Sequence, residues 1–294
     1  MKRNSLLIKI CLLIVFASSL QACSQGNNET QYKPSGNGTE SNTSTSKATS
    51  SAATNGSKTK KAEFKWDTDT LNNTSGKTLI KCITTPMPKG NHMSFAIVSS
   101  KGTVIIAEPN KLNYTNGVFR ADVITSSFIN HDHTDSSFIR VNSQARVSVQ
   151  KAESFTAKDV KVTGVAASQS TAPIDPVSPT EVIYLYEVDG LRIVYMGALG
   201  QDELTKEQLE QLGKVDIFIG HFNHAPAWNI KKETTAKVIQ QLQPHIVLAS
   251  EYSPEPADFI LKEVGIKERK EQEQLLVDLN DLKDIKEMQY YYLQ

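Results

Sequence analysis

From about residue 62 onward, short apolar runs separated by turn-forming residues dominate the chain. Runs rich in Val, Ile and Leu and bounded by Gly, Pro, Asn or Ser are typical of buried strands, and the Asp189-Gly190 pair between two such runs predicts a hairpin turn. Apolar spacing and composition predict helices at residues 202–212, 232–242 and 256–264. Strands are predicted at residues 78–83, 94–99, 103–106, 123–126, 145–150, 160–166, 182–188, 191–196, 215–219 and 246–249.

This order of elements predicts an α/β fold. Consecutive strands followed by helices imply sheet packed on sheet with helices outside, which is a four-layer αββα sandwich. Residues 62–294 are long enough for one domain with an ample core and rather short for two. Turns are expected at residues 86–90 and 100–102.

The N-terminus carries a different pattern. Lys2 and Arg3 precede an apolar stretch at residues 10–17, which is too short to span a bilayer but has the length of a secretory signal core. Leu20-Gln-Ala-Cys23 follows, and this string resembles the lipobox of bacterial lipoproteins. The resemblance implies a signal peptide at residues 1–22 and acyl chains, palmitate among them, on Cys23. An ordinary secretory signal with a chance cysteine is the alternative.

Residues 23–61 are expected to form a tether behind that anchor. Ser, Thr, Asn, Gly and Lys dominate the segment, and such a composition buries too little apolar surface to offset its ordering entropy. A flexible chain of this length holds a domain on the order of 35 Å from the lipid. We therefore expect a protein anchored by lipid to a cell membrane on its extracytoplasmic face. A Gram-positive surface is favoured, and a Gram-negative envelope stays open.

Charge limits the classes of partner, and cysteine content limits the disulfides that the domain can form. The chain has 32 Lys plus Arg and 32 Asp plus Glu, and no basic stripe with interleaved aromatics, so nucleic acid is not an expected partner. The expected partners are the membrane, through the lipid anchor, and a small molecule or an envelope protein. Once the signal is removed and Cys23 carries lipid, only Cys82 remains, which excludes a disulfide framework.

A His-x-His-x-Asp string, His131, His133 and Asp135, follows the predicted strand at 123–126. Alternate residues of an extended or tightly turned segment face the same way, so two imidazoles and a carboxylate can converge on one point. Imidazole and carboxylate suit zinc, iron or manganese, and a loop at the carboxyl end of a strand is a usual place for a site in an α/β protein. A polar surface turn that happens to contain two histidines is the alternative.

Six segments between about residues 77 and 252 resemble, in order and spacing, the metallo-β-lactamase superfamily, and within it the branch of ascorbate-6-phosphate lactonase-like hydrolases. The resemblance implies the four-layer αββα fold of that superfamily and places His92 behind the metal ligands as a supporting residue. Glu108-Pro109 stands where the family has Asp-Pro. The segments are residues 90–97, 108–109, 131–135, 187–197, 215–219 and 247–252.

The chain departs from the family's two-metal pattern at several ligand positions. Ser136 and Ser168-Gln169 stand where the resemblance requires histidines, and Ala198 replaces the bridging aspartate. Glu251 replaces the last histidine. A methyl group cannot bind a metal, so a standard dinuclear centre is not expected. The remaining ligand set would be His131, His133, Asp135 and Glu251 around at most one ion, with Asp135 as ligand or general base.

Two functions remain open at this point. The missing ligands favour a degenerate domain that serves as a binding or scaffolding module, because a fold does not fix a function. The alternative is a mononuclear metal-dependent hydrolase of an ester, a lactone or a phosphodiester. His221 and His224 are interpreted as hydrogen-bonded loop histidines, with a substitute ligand or a pocket contact as the alternative.

Overall fold

The structure is a computed structural model that describes residues 65–84 and 92–294. The predicted signal peptide, Cys23 and the whole tether lie outside the described residues, as does the turn predicted at 86–90. Within the described ranges, no helix has the length and apolar character needed to cross a membrane.

The domain is built mainly from strands. The strands are β1 (Trp66–Asp67), β2 (Thr78–Cys82), β3 (Phe95–Val98), β4 (Val104–Ala107), β5 (Val118–Phe119), β6 (Val123–Ser126), β7 (Arg146–Val149), β8 (Ser154–Ala157), β9 (Val160–Ala167), β10 (Glu181–Val188), β11 (Leu191–Tyr195), β12 (Ile217–Phe222), β13 (Ile246–Tyr252), β14 (Arg269–Gln272), β15 (Gln274–Val277) and β16 (Gln289–Leu293).

Two large sheets contain most of these strands. One has six strands in the order β15-β2-β3-β4-β6-β7, and the other has eight in the order β14-β16-β13-β12-β11-β10-β9-β8. β4 and β6 run parallel in the first sheet, and β11, β12 and β13 run parallel in the second. β1 and β5 form a separate parallel pair. The carboxyl ends of the parallel strands are therefore available to build one site.

Successive side chains of a strand point to opposite faces of its sheet, so the buried apolar residues form three clusters, one between the sheets and one on the outer face of each sheet. Tyr184 and Tyr186 of β10 pack between the sheets with Phe95 of β3, while Ile183 and Leu185 point the other way. The outer face of the eight-stranded sheet packs against apolar residues of helices, and Phe138 packs on the six-stranded sheet. The helices are α1 (Ser136–Val141), α2 (Lys206–Leu212), α3 (Lys232–Leu242), α4 (Pro254–Glu263) and α5 (Leu279–Lys283).

The predicted α/β class with sheets packed face to face and helices outside is confirmed. Every predicted strand is present, and the hairpin joins β10 to β11 with Asp189 and Gly190 at positive φ. α2 begins at Lys206 rather than at 202, because Thr205 forms a capping box with Gln208. β12 and β13 continue three residues beyond their predicted ends, to Phe222 and Tyr252.

The C-terminal tyrosines lie inside the larger sheet. β16 pairs in parallel with β13 on one side and β14 on the other, and Tyr290 is fully buried. The ring of Tyr290 packs on Phe222 of β12, with 5.0 Å between ring centroids. The segment is an interior strand and not an edge strand.

Candidate metal centre

A cleft of about 570 Å³ opens at the end of the two sheets where the parallel strands terminate. Polar side chains from both sheets meet in its floor. His133 comes from the turn after β6, Glu251 from the end of β13 and His92 from the segment before β3. These three residues are distant in sequence, and only the packing of one sheet on the other brings them together.

His92, His221 and Glu251 form one group in which the candidate ligand atoms lie within 4.8 Å of one another. His92 Nδ1 lies 2.9 Å from Glu251 Oε1, and His221 Nδ1 lies 3.5 Å from Glu251 Oε2. Asn223 Nδ2 donates to Glu251 Oε2 at 3.1 Å and fixes the carboxylate. Two imidazoles and a carboxylate in this arrangement are a donor set suited to zinc, iron or manganese.

His92 also belongs to a second group, with Asp132 and His133, whose ligand atoms meet the same 4.8 Å limit. The rings of His92 and His133 are 4.0 Å apart between centroids. Because His92 is common to both groups and its Nδ1 already faces Glu251, the two groups describe one centre rather than two independent ones.

Glu108 orients His133. Its Oε2 lies 2.5 Å from His133 Nδ1, and its Oε1 accepts a hydrogen bond from the Ser127 amide. Glu108 is buried at the end of β4 with a φ of 52°. A carboxylate on Nδ1 leaves Nε2 of the imidazole as the atom that faces the cleft, which is the arrangement that supports histidine ligands in metal sites.

Burial and charge set the protonation of the group. Burial lowers the pKa of His221 to about 4, so its imidazole is neutral at pH 7. Burial would raise the pKa of Glu251, but its electrostatic interactions with the imidazoles of His221 and His92 and the hydrogen bond from His92 outweigh burial and lower the pKa to about 2. A neutral imidazole and an ionised carboxylate are the forms that bind metals.

The pKa of His133 moves in the opposite direction. Burial alone would lower it, but the charge and hydrogen bond of Glu108 raise the pKa to about 9, so His133 must release its Nε2 proton when it binds a metal. Nearby, burial raises the pKa of Glu181 to about 7. Glu181 is fully buried at the start of β10, where its Oε1 accepts from the Ala198 amide at 3.1 Å.

Buried atoms without partners test whether this group suits a metal. In the described part of the chain, both ring nitrogens of His221 and Oδ1 of Asp132 are buried without a hydrogen-bond partner. Buried polar atoms are normally paired, and His221 and Asp132 each belong to one of the two groups. The donor set therefore fits a bound cation.

The structure brings together some of the predicted site residues and separates others. His133 and Glu251 lie in the cleft, and the predicted pocket residue His92 is itself in the group. His131 is exposed and lies in neither group. Asp135 lies in neither group: its Oδ1 caps α1 by accepting from the Ser137 and Phe138 amides at 2.7 and 3.1 Å.

The paired histidines at 221 and 224 differ from each other. His221 is buried within β12 and is not a loop residue as predicted. His224 is partly exposed, and its Nδ1 accepts from the Lys232 amide at 3.3 Å. Only His221 belongs to the metal-type groups.

Two acidic residues at or near this centre, Asp132 and Glu181, are not indicated by any local pattern. Asp132 lies between the two histidines of the string. Alternation along an extended segment places residues 131, 133 and 135 on one side, so it does not predict Asp132 as a ligand. Glu181 is a single acidic residue at the start of an apolar strand, where an unpaired charge is costly. A carboxylate in such a strand indicates that a partner group lies nearby in the fold, and this is how the sequence could have pointed to Glu181.

Comparisons with known proteins identify the family and the fold to which the domain belongs. A family model described as a beta-lactamase superfamily domain matches residues 89–251, which is more than half of the chain. A comparison with curated proteins gives no significant match.

Solved structures of similar fold share little sequence with this chain. A metallo-beta-lactamase superfamily protein from Thermotoga maritima is 18% identical with a TM-score of 0.53, over 74% of this chain and 100% of that one. The metallo-beta-lactamase fold protein YhfI from Bacillus subtilis is 10% identical with a TM-score of 0.47, over 74% and 97%. At these identities the likeness shows the fold alone. From the match over residues 89–251, the chain belongs to the beta-lactamase superfamily and has the metallo-β-lactamase fold.

Proposed function

We propose that this protein is a lipid-anchored, extracytoplasmic hydrolase that uses one metal ion. The domain would span residues 62–294, behind a signal peptide at 1–22 and a tether at 23–61 that begins with the lipidated Cys23. The ion would be zinc, iron or manganese, and the substrate an ester, a lactone or a phosphodiester. Within the superfamily we assign it to the ascorbate-6-phosphate lactonase-like branch with a rearranged, degenerate centre.

One observation carries the proposal. His221, whose two buried ring nitrogens have no hydrogen-bond partner, lies in a group with His92 and Glu251 to which it offers one of these nitrogens as a ligand. An imidazole left unsatisfied in this way costs free energy, and a bound cation removes that cost. The ligands lost at Ser136 and Ala198 are thereby compensated by residues from other strands.

The residues of the cleft suit hydrolysis. When bound, the ion supplies Lewis acidity toward a carbonyl or phosphoryl oxygen. Asp132 lines the cleft with a buried, unpartnered Oδ1, so its carboxylate is the group we assign to accept the proton of the attacking water. Glu108 holds the imidazole of His133, and Asn223 holds the carboxylate of Glu251.

The proposal predicts at most one tightly held ion per chain. We expect about one equivalent of zinc, iron or manganese after dialysis, because His92 is shared by both groups and Ala198 offers no bridging carboxylate. Elemental analysis of the purified protein measures this, together with hydrolysis of a nitrophenyl ester, a lactone and bis(nitrophenyl) phosphate. Two ions per chain would contradict the single centre, and no ion at all would contradict the hydrolase.

A binding or scaffolding module is the second candidate. Ser136 is exposed in the first turn of α1 and Ser168 forms hydrogen bonds only to nearby side and main chains, so neither is arranged as a ligand. Stoichiometric metal without turnover of any of the three substrates would favour this candidate. The partner would then be a small molecule or an envelope protein.

The anchor is tested separately. Replacing Cys23 by serine removes the thiol that would carry the lipid, so we expect the protein to lose both processing and membrane attachment. Fractionation of cells and incorporation of a labelled fatty acid measure the two effects, with Cys82→Ser as the matched control. A Cys23→Ser protein that is processed and membrane-bound like the parent would refute the lipoprotein assignment.

A further inference from the structure

Three large apolar side chains stand out by their exposure. Val177, Trp228 and Ile129 are 88, 77 and 67% exposed, whereas the other exposed large hydrophobics of the described residues reach at most 44%. A single exposed apolar side chain is common and needs no explanation. These three residues stand on loops at one end of the domain, and a group of exposed apolar side chains marks an interaction surface.

Trp228 and Ile129 stand on the rim of the metal cleft. Trp228 itself lines the cleft, from the short 3₁₀ helix Pro226–Trp228. Ile129 lies between Phe128 and Asn130, which both line the cleft. The two side chains therefore belong to loops that surround the same opening.

Gln150 joins the loops of Ile129 and Val177. Its Oε1 accepts from the Ile129 amide at 3.0 Å, and its Nε2 donates to the Pro179 carbonyl at 2.8 Å. Val177 is two residues before Pro179, in a loop whose other end, at Gln169, lines the cleft. Val177, Trp228 and Ile129 thus stand on loops that line the cleft or are bonded to its lining, and we call these three side chains the apolar rim.

We propose that the apolar rim docks onto a lipid bilayer, so that the cleft opens toward the membrane and accepts a substrate that is itself a membrane amphiphile. Indole favours the boundary between headgroups and acyl chains, where its ring is apolar and its N–H remains hydrated. The inference rests on the lipid anchor proposed above, which would bring the domain to a membrane. Docking of the rim does not depend on catalysis.

The point where the chain enters the domain agrees with this orientation. The Lys65 carbonyl accepts from the Val118 amide at 2.8 Å, at the start of β5. Just before β5, the hydroxyl of Tyr114 contacts Asp135 at 3.3 Å, in the turn that follows Ile129. The sequence leading to this point contains Lys58, Lys60 and Lys61, and lysines next to a membrane are attracted to anionic lipid.

Tryptophan fluorescence tests the orientation in the full-length chain. The sequence contains only two tryptophans, so Trp66→Phe leaves Trp228 as the sole emitter. We would add this variant to excess vesicles of phosphatidylcholine and phosphatidylglycerol with brominated acyl chains. We expect the Trp228 emission to fall by about half, because interfacial side chains lie roughly 5–10 Å into the headgroup–acyl boundary.

Leu279 supplies the matched control. It is 44% exposed and lies against Gly190, at the hairpin end of β10, whereas Glu181 at the other end of β10 lies near the cleft. Leu279→Trp in a chain with Trp66→Phe and Trp228→Phe places an indole far from the rim. We expect its emission to be unchanged by the brominated lipid.

The outcomes separate this inference from the proposed function. Quenching of Trp228 and not of the tryptophan introduced at 279 supports docking. The same quenching in a Cys23→Ser chain shows that docking does not require the lipid anchor, so a failure of the anchor remains distinguishable from a failure of docking. Equal quenching at the two positions, or none at Trp228, overturns docking. Self-association that Trp228→Ser abolishes would assign the rim to a second copy of the chain and overturn the bilayer.

Discussion

Replacing His221 by alanine is expected to lower the affinity for zinc by more than about 100-fold, because the change removes a ligand, while even the loss of a residue that merely supports a ligand reduces affinity about 10–100-fold. Neither ring nitrogen of His221 has a hydrogen-bond partner, so no hydrogen bond competes with a metal for the nitrogen that faces the centre. Zinc titration in competition with a chromogenic chelator measures the effect.

His131→Ala is the control for that experiment. His131 is exposed and belongs to neither group of ligand atoms, so its replacement should leave the affinity within the error of the titration. The comparison decides between the centre built around His92 and the ligand set predicted from the string. A loss of affinity for His131→Ala as large as that for His221→Ala would refute the placement of the metal.

Replacing Glu108 by alanine is expected to lower the free energy of unfolding by about 3–5 kcal/mol, the usual cost of breaking a buried ion pair by removing one partner. Glu108 is 2% exposed, and both of its oxygens are occupied, one by the Ser127 amide and one by His133. Alanine leaves two buried donors without an acceptor. Urea unfolding of the metal-free protein measures the change.

Glu108→Gln separates the role of Glu108 in stability from its role in positioning. The amide oxygen can still accept from Ser127, and the amide nitrogen can donate to Nδ1 of His133. The imidazole proton then moves to Nε2, which blocks that atom as a ligand. We expect only a small loss of stability together with a loss of zinc affinity of about 10–100-fold. Equal affinities for Glu108→Gln and the parent would show that Glu108 does not set the tautomer.

The fold was predictable from the sequence because its signal is local. Apolar runs and the Asp189-Gly190 turn depend on neighbouring residues, and the same residues form β10, β11 and the hairpin. α1 was missed because its six residues are too few to show helical spacing, and it is instead nucleated by the cap from Asp135.

The site was only partly predictable, because its members meet across the two sheets. His133 and Glu251 were recognised, one from the string and one from the resemblance. Simple alternation predicted that His131, His133 and Asp135 would point the same way, but residues 131–133 form a turn and Asp135 is drawn to the amides of α1. Asp132 and His92 face His133 for that reason, and no pattern within one segment contains this information.

The position of β16 determines the order in which the centre can be completed. Gln289–Leu293 fills the gap between β13 and β14, so β13, which carries Glu251, has an unpaired edge until this segment has joined the sheet. A chain that lacks this segment cannot pair β13 with β16 or pack Tyr290 into the core. Glu251 therefore reaches its final place only after a segment that contributes no candidate ligand has joined the sheet.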